Sequence, residues 1–298
     1  MSLMNIGSIA YDYIKTPYGV REVSLGGSAT YASIASSKFT DTYVVGVVGT
    51  DYEKQFKDVF KRNRINDSAI EIVDGETFHW KGVYEDLNEA ITLDTKLNVF
   101  ESFKPKIPES LRNIKNLFLG NIQPELQLHV LKQMDKETFV AIDTMNFWIE
   151  KSPETLKKVI GKIDILFIND AEIKLLLKER NVYEAIEKCV KLGVNNIVVK
   201  RGEFGSLLYS NSSYFFVPVY PINKVIDPTG AGDSFAGGFM GYVSYKKNCD
   251  TKTLKEAMLY ATVTASYNIQ DFSFDELETK TINDIENRVE KLKDMIRI

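Results

Sequence analysis

The sequence predicts an α/β fold: a doubly wound, mostly parallel sheet with helices on both faces, carrying a small β-sheet appendage. Three observations point there. Beyond Pro108, short apolar runs over 117–119, 139–142, 163–168 and 196–199 each alternate with a helix-length segment. That rhythm gives right-handed βαβ units and a sheet covered on both sides. Residues 77–100 read instead as strand, with Phe78, Trp80 and Val83 in alternation and no long helix between them. Finally, a glycine-rich turn at 227–233 opens into a helix whose Phe235, Phe239, Tyr242 and Val243 recur at helical spacing.

In chain order, the apolar run 4–10 reads as a buried strand ending near Asp12. A hairpin-like segment over 13–25 turns at Pro17, Tyr18 and Gly19. Small residues from Gly26 to Ala32 lead into a helix. Residues 43–48 form a second buried strand, and 51–62 a charged amphipathic helix. Segments 205–209 and 214–217 make a hairpin just before the glycine-rich turn. Helices over 254–269 and 282–296 close the chain, the last packing Ile282, Ile285, Val289, Leu292 and Ile296 on one face. The expectation is a single domain over 1–298, with the appendage drawn from insertions at 13–25 and 77–103.

Composition narrows the function. At 44% hydrophobic over 298 residues the chain suits one large core. A net charge of −4, with no block of Lys or Arg, argues against nucleic acid as a partner. Two cysteines, Cys189 and Cys249, are too few for a disulfide framework or a zinc site and suit a reducing, cytoplasmic setting. No run is long enough to span a membrane, and no signal peptide is read. Met1-Ser2-Leu3 before Met4 reads as a cloning remnant. Walker A and GxGxxG motifs do not occur. His79 and His129 have no ligand partner at a useful spacing.

The turn carries the chemistry. Asp227-Pro228 breaks an incoming helix, and Gly230 and Gly232 permit backbone angles other residues resist. A glycine-rich turn at a helix start aims several amide groups at one spot and so favours an anion. Asp233 at its mouth makes sense as a base for a group attacking a phosphate; a helix N-cap is the plainer alternative. Gly237, Gly238 and Gly241 each cost about 1 kcal/mol relative to Ala in a helix interior, which suits close packing against the helix.

Asp227, Thr229, Gly230, Ala231, Gly232 and Asp233, in unbroken order, closely resemble the signature of the ribokinase-like (phosphofructokinase-B type) kinases of sugars and nucleosides. The resemblance implies that Gly230, Ala231 and Gly232 form an anion hole for the transferred phosphoryl group, with Asp233 as the general base. It implies ATP and Mg²⁺ as cofactors, the β appendage as a lid, and pairing of lid strands in a homodimer. Ligands of open parallel sheets sit beyond the carboxyl ends of the strands, where Asp12, Asp143, Asn169, Lys200 and Asp227 fall. Family members hold substrate hydroxyls with an acid at the position of Asp12, and an ionised carboxylate accepts two hydroxyls at once. Gly26-Gly27 matches the double glycine that contacts substrate and hinges the lid. Tyr31 stands where an Asn is usual, and Met145 and Phe147 where Asn and Arg are usual, leaving Asn146 or Trp148 to take over substrate contact.

Asn169-Asp170-Ala171-Glu172 resembles the motif that organises magnesium-bound water, with Glu172 reaching the metal through water; it is equally a capping box. Lys200, Gly202 and Gly205 resemble the nucleotide-binding strand end, Lys200 replacing a frequent Thr. Asn268 is a candidate adenine contact. Asp227 and Thr229 are candidates for a monovalent cation such as K⁺, although Ser273 replaces a usual Gly nearby. The expected activity is transfer of the γ-phosphoryl group of ATP to a hydroxyl of a small sugar or polyol. A nucleoside kinase is the second reading, with Tyr31, Trp80, Tyr84 or Trp148 stacking on a base. A kinase-like binding module without catalysis, and a scaffold used only in assembly, are the readings outside enzymology.

Overall fold

The computed structural model describes residues 1–88 and 90–297. Residues 89 and 298, the first inside the expected insertion 77–103 and both inside the expected span 1–298, lie outside the described residues. The strands in chain order are β1 (Leu3–Ile6), β2 (Ala10–Thr16), β3 (Gly19–Gly26), β4 (Thr42–Gly49), β5 (Ile65–Val73), β6 (Phe78–Val83) and β7 (Ile91–Lys96). Then follow β8 (Asn116–Leu119), β9 (Phe139–Ile142), β10 (Ile165–Asn169), β11 (Asn196–Lys200), β12 (Ser206–Ser210) and β13 (Ser213–Val217).

They form two sheets. The larger has nine strands in the order β13-β12-β11-β10-β9-β8-β1-β4-β5. Pairing is parallel from β5 to β11 and antiparallel in the terminal β11-β12-β13 hairpins. Its central strands are apolar on both faces, as a sheet covered on two sides requires. In β4, Val44 and Val48 join one core while Val45 and Val47 join the other. In β8, Phe118 faces the first core and Leu117 and Leu119 the second. The first core is closed by the helices Ser28–Ser36, Ala231–Lys246, Thr251–Asn268 and Ile282–Ile296; the second by Pro153–Ile160, Asp170–Leu177 and Val182–Val190. The doubly wound α/β body is therefore as expected.

The smaller sheet has the order β3-β2-β6-β7. Its β2-β3 and β6-β7 pairs are antiparallel, but β2 and β6 run parallel. It begins earlier than expected. The apolar run 4–10 is not one strand: β1 stops at Ile6 and β2 starts at Ala10 in the other sheet. The break has a tertiary cause. The Ser8 amide donates to Ser28 Oγ at 3.2 Å, the Ser28 amide donates to Ser8 Oγ at 3.0 Å, and the Ala29 amide donates to Ser8 O at 3.0 Å. The chain is thereby pinned to the start of the next helix and turned out of the main sheet. Asp12 consequently lies inside the small sheet, not at the end of a core strand.

The helix Ser28–Ser36 packs directly on the helix Ala231–Lys246. A β-carbon on Gly237 would sit 2.3 Å from the carbonyl oxygen of Ala32, and one on Gly241 would sit 2.9 Å from Ser36 Cα. Gly237→Ala gains helix propensity but forces two backbones apart. We expect a net loss of about 1–3 kcal/mol, the usual cost of overpacking, measured as a shift of the urea midpoint at constant slope.

Candidate active site

The turn and helix start are built as the glycines demand. Gly230 is the N-cap of the helix Ala231–Lys246 and adopts φ 70°. A side chain there would be strained and would also collide with the ring of Tyr31, 2.3 Å from the β-carbon position. Because Gly230 takes the cap position, Asp233 falls in the first helical turn and caps nothing through its side chain. Among the described residues, no donor is hydrogen-bonded to its carboxylate. Burial, and then the negative charge of Asp143, push the Asp233 carboxyl up to about 7, while Lys200 pulls the other way. The Ala231 amide donates to the Pro228 carbonyl at 3.1 Å; a carboxyl poised near neutrality beside the Gly232 and Asp233 amides of a helix start is suited to proton abstraction next to an anion.

Around it the strand ends bring further groups together. Lys200, last residue of β11, donates through Nζ to Asp143 Oδ2 at 2.5 Å; the Asp143 side chain is 5% exposed. Lys200 Nζ also lies 3.1 Å from where a β-carbon on Gly232 would be, against the turn. Glu172 senses the same pair: burial raises its carboxyl to about 7, with Lys200 lowering and Asp143 raising it. Asn169 and Glu172 form a full capping box, the Glu172 amide donating to Asn169 Oδ1 at 2.7 Å and the Asn169 amide to Glu172 Oε2 at 2.9 Å. Each Glu172 oxygen keeps lone pairs after that bond, so capping and water-mediated metal contact are compatible.

Asp12 stands on the other side of the turn. Its side chain is 4% exposed, and a β-carbon on Gly26 would overlap its carboxylate, 1.8 Å from Oδ2. Gly26 is thus the space in which Asp12 sits. Gly27, at φ 91°, lies beside that carboxylate, where its amide opposes the rise in the carboxyl's pKa, and its conformation and the nearby Ser8 carbonyl leave no room for a side chain. Burial, then Asp227, then Asp233 raise the Asp12 carboxyl to about 8.

Asp227 is fully buried and organises the turn. Its Oδ1 accepts from the Thr229 amide at 2.9 Å and its Oδ2 from the Ser273 amide at 2.8 Å. Burial is also the main cause that raises its carboxyl. Ser273 has φ 56°, the left-handed conformation that favours glycine. Its hydroxyl donates to the Leu25 carbonyl at 3.2 Å and accepts from Tyr31 Oη at 3.3 Å. Tyr31 is 1% exposed, so its ring supports the underside of the turn and offers no open face to a substrate.

Asn268 is equally enclosed. Its Nδ2 donates to the Thr229 carbonyl at 2.8 Å and its Oδ1 accepts from Ser234 Oγ at 3.0 Å, at zero exposure. That places it beneath the turn and away from any surface an adenine ring would reach. Gly202, at φ 54°, has nothing within 4 Å of its β-carbon position, so the strand end is open there; Gly205, at φ 82°, is closed in by Val217 and Pro218. Asn146 is exposed, and its Oδ1 accepts from the Phe147 amide at 2.9 Å. The structure thus gathers Asp12, Gly26, Gly27, Asp143, Asn169, Glu172, Lys200, Asp227 and the 229–233 turn; Asn146 has no hydrogen bond to them among the described residues.

The structure therefore brings together a glycine-capped helix start, a carboxylate raised to about 7 in its first turn and a second buried carboxylate in the small sheet. Comparison with known proteins shows that the chain belongs to the pfkB family of carbohydrate kinases, whose model matches residues 2–280. It is an ATP-dependent phosphotransferase acting on a hydroxyl group. It is 30% identical over 252 residues to a cytidine kinase of Thermococcus kodakarensis, covering 81% of this chain and 88% of that protein. It is 24% identical over 279 residues to a 2-dehydro-3-deoxygluconokinase of Haemophilus influenzae, covering 81% and 86%. Its fold superposes on the Burkholderia thailandensis nucleoside kinase in complex with inosine with a TM-score of 0.81, at 19% identity and 97% and 98% coverage.

Proposed function

We propose that the acceptor is a nucleoside, which promotes the second reading of the sequence over the first. The observation that carries this is the register of β2 with β6: Asp12 is paired with Trp80. Register partners in adjacent strands point to the same face, about 5 Å apart. Trp80 is only partly buried. Its indole lies over Gly82, where a β-carbon would be 2.1 Å from the ring, and its Nε1 donates to Thr92 Oγ1 at 3.2 Å. A nucleoside presents a vicinal diol and a flat ring, which suits a carboxylate beside a fixed aromatic face. The relatedness to a cytidine kinase supports the same choice. A simple sugar leaves the exposed indole unused.

In this reading the β3-β2-β6-β7 sheet is the lid, which keeps water from competing for the phosphoryl group. Asp12 and the Gly26-Gly27 turn hold the acceptor. Asp233 takes the proton of the attacking hydroxyl, and the amides at Gly232 and Asp233, in the turn that Ala231 closes onto the Pro228 carbonyl, meet the charge that develops on the phosphoryl oxygens. Lys200 leaves Asp143 to meet a phosphate of ATP at the open strand end beside Gly202. Mg²⁺ on the phosphates supplies further charge neutralisation. Glu172, with Asn169, is placed to hold its waters, as suits a hard cation that keeps its hydration. Asp227 and Thr229 are the residues that would hold K⁺. The exposed edge strand β7 is the surface we assign to a homodimer.

The test is ADP release from Mg-ATP across nucleosides, pentoses, hexoses, inositols and keto-deoxy acids. Turnover with a nucleoside is expected. Turnover confined to a sugar or polyol restores the first reading, and ATP binding without turnover on any acceptor points to a non-catalytic module.

A further inference from the structure

The phosphate turn has a contact with the small sheet that the chemistry above does not use. Tyr84 directly follows β6, and its amide donates to the Lys15 carbonyl at 2.8 Å, carrying the β2-β6 ladder one residue further. Its side chain leaves that sheet and is 8% exposed. Thr229 Oγ1 donates to Tyr84 Oη at 3.1 Å, across 145 residues of sequence. Thr229 is thereby held at three points. Its amide is fixed by Asp227 and its carbonyl by Asn268, both in the body of the fold. Only its hydroxyl is fixed by the small sheet.

We propose that Tyr84 is a positioning residue that couples the small sheet to the phosphate turn. With the sheet seated over the acceptor, the Tyr84 hydroxyl completes the set of bonds that orients Thr229, and with it the amides that follow at Gly230 to Gly232. With the sheet lifted, that third bond is broken and the turn is held by two. The turn is therefore fully organised only when the acceptor is covered. This rests on the kinase reading above, in which the turn receives the phosphoryl group and the small sheet is the lid.

The coupling predicts a particular kinetic pattern. Tyr84→Phe keeps the ring and its packing and removes only the hydroxyl. Loss of one buried hydrogen bond that matters in the transition state lowers kcat by about three- to tenfold. The KM values for ATP and acceptor stay within about twofold, because neither substrate is touched. Thr229→Val has the same effect, Thr229→Ser loses less than Thr229→Val because it keeps the hydroxyl, and the double variant Tyr84→Phe/Thr229→Val is no slower than either single one, since both remove the same bond. Thermal melts of all four establish that they fold; if the Val variant does not, the Tyr84→Phe and Thr229→Ser enzymes carry the comparison. An unchanged kcat in Tyr84→Phe overturns the proposal, as does an effect on acceptor KM alone, which makes Tyr84 a substrate contact. Losses that multiply in the double variant overturn it too. An Asp233→Asn control separates the two levels: if it is inactive while Tyr84→Phe is fully active, the coupling fails and the kinase mechanism stands.

Discussion

Asp233→Asn is expected to lower kcat by about 10²–10⁴, the usual reach of a positioned general base, with ATP binding retained. The geometry explains why so small a change matters. Asp233 is in the first turn of the helix Ala231–Lys246 but has no capping duty, so the amide variant removes a base and leaves the helix start intact. The pH dependence provides a second readout from the same group. Burial and the charge of Asp143 hold its carboxyl at about 7. A base works deprotonated, so kcat/KM rises with pH through about 7 and levels off above it. In the Asn variant that limb disappears from whatever activity remains. Stopped-time ADP assays between acidic and mildly alkaline pH measure both, and a variant with near-normal turnover removes Asp233 from the mechanism.

Asp12→Asn is expected to push function and stability in opposite directions. Above about pH 8, where Asp12 is ionised, a carboxylate holding a diol makes charge-assisted bonds, and their loss raises the acceptor KM by roughly tenfold or more. Stability moves the other way. The folded carboxyl titrates at about 8, above the ordinary range of an unfolded Asp, so the native state binds this proton more tightly than the unfolded state. The stability it contributes is therefore full at low pH and is lost as pH rises toward about 8. Asn never ionises. The variant melts higher than the parent above that pH, and the gain shrinks toward about pH 4. Melts at the two pH values, alongside acceptor titrations, check the prediction; equal melting shifts at both would mean that the Asp12 charge is not what is being relieved.

Much of this was legible in the sequence because it is encoded locally. The parallel body announces itself through apolar runs bounded by turns. The phosphate turn does so through glycines whose backbone needs are visible without neighbours. What escaped was decided by partners far along the chain. Strand β5 interrupts its apolar residues with Asn66, Asp67, Ser68 and Glu71, buries only Ile65 and lies at the sheet edge, so no continuous apolar run marks it. The run 4–10 looks continuous, and only Ser28 shows where it breaks. Asn268 reads as a ligand contact at a helix end. Its real partners, Thr229 and Ser234, are more than thirty residues away in sequence. Tyr31 looks like an exposed aromatic available for stacking until Gly230 and Ser273 are placed around it. Asn146 is exposed and its amide oxygen accepts only from the neighbouring Phe147 amide among the described residues.

The order of strands in the large sheet also bears on how the protein comes into being during synthesis. From β1 the sheet first extends to β4 and β5 on one side. The other wing, β8 through β13, then adds one strand at a time in the order in which the chain is made. Each new segment finds a waiting edge beside its predecessor. Asp227 follows the last of these strands, so a nascent chain stopped just short of it has the entire sheet and none of the phosphate turn. The sheet is complete before the turn exists, and a chain stopped short of Asp227 has no turn with which to spend ATP.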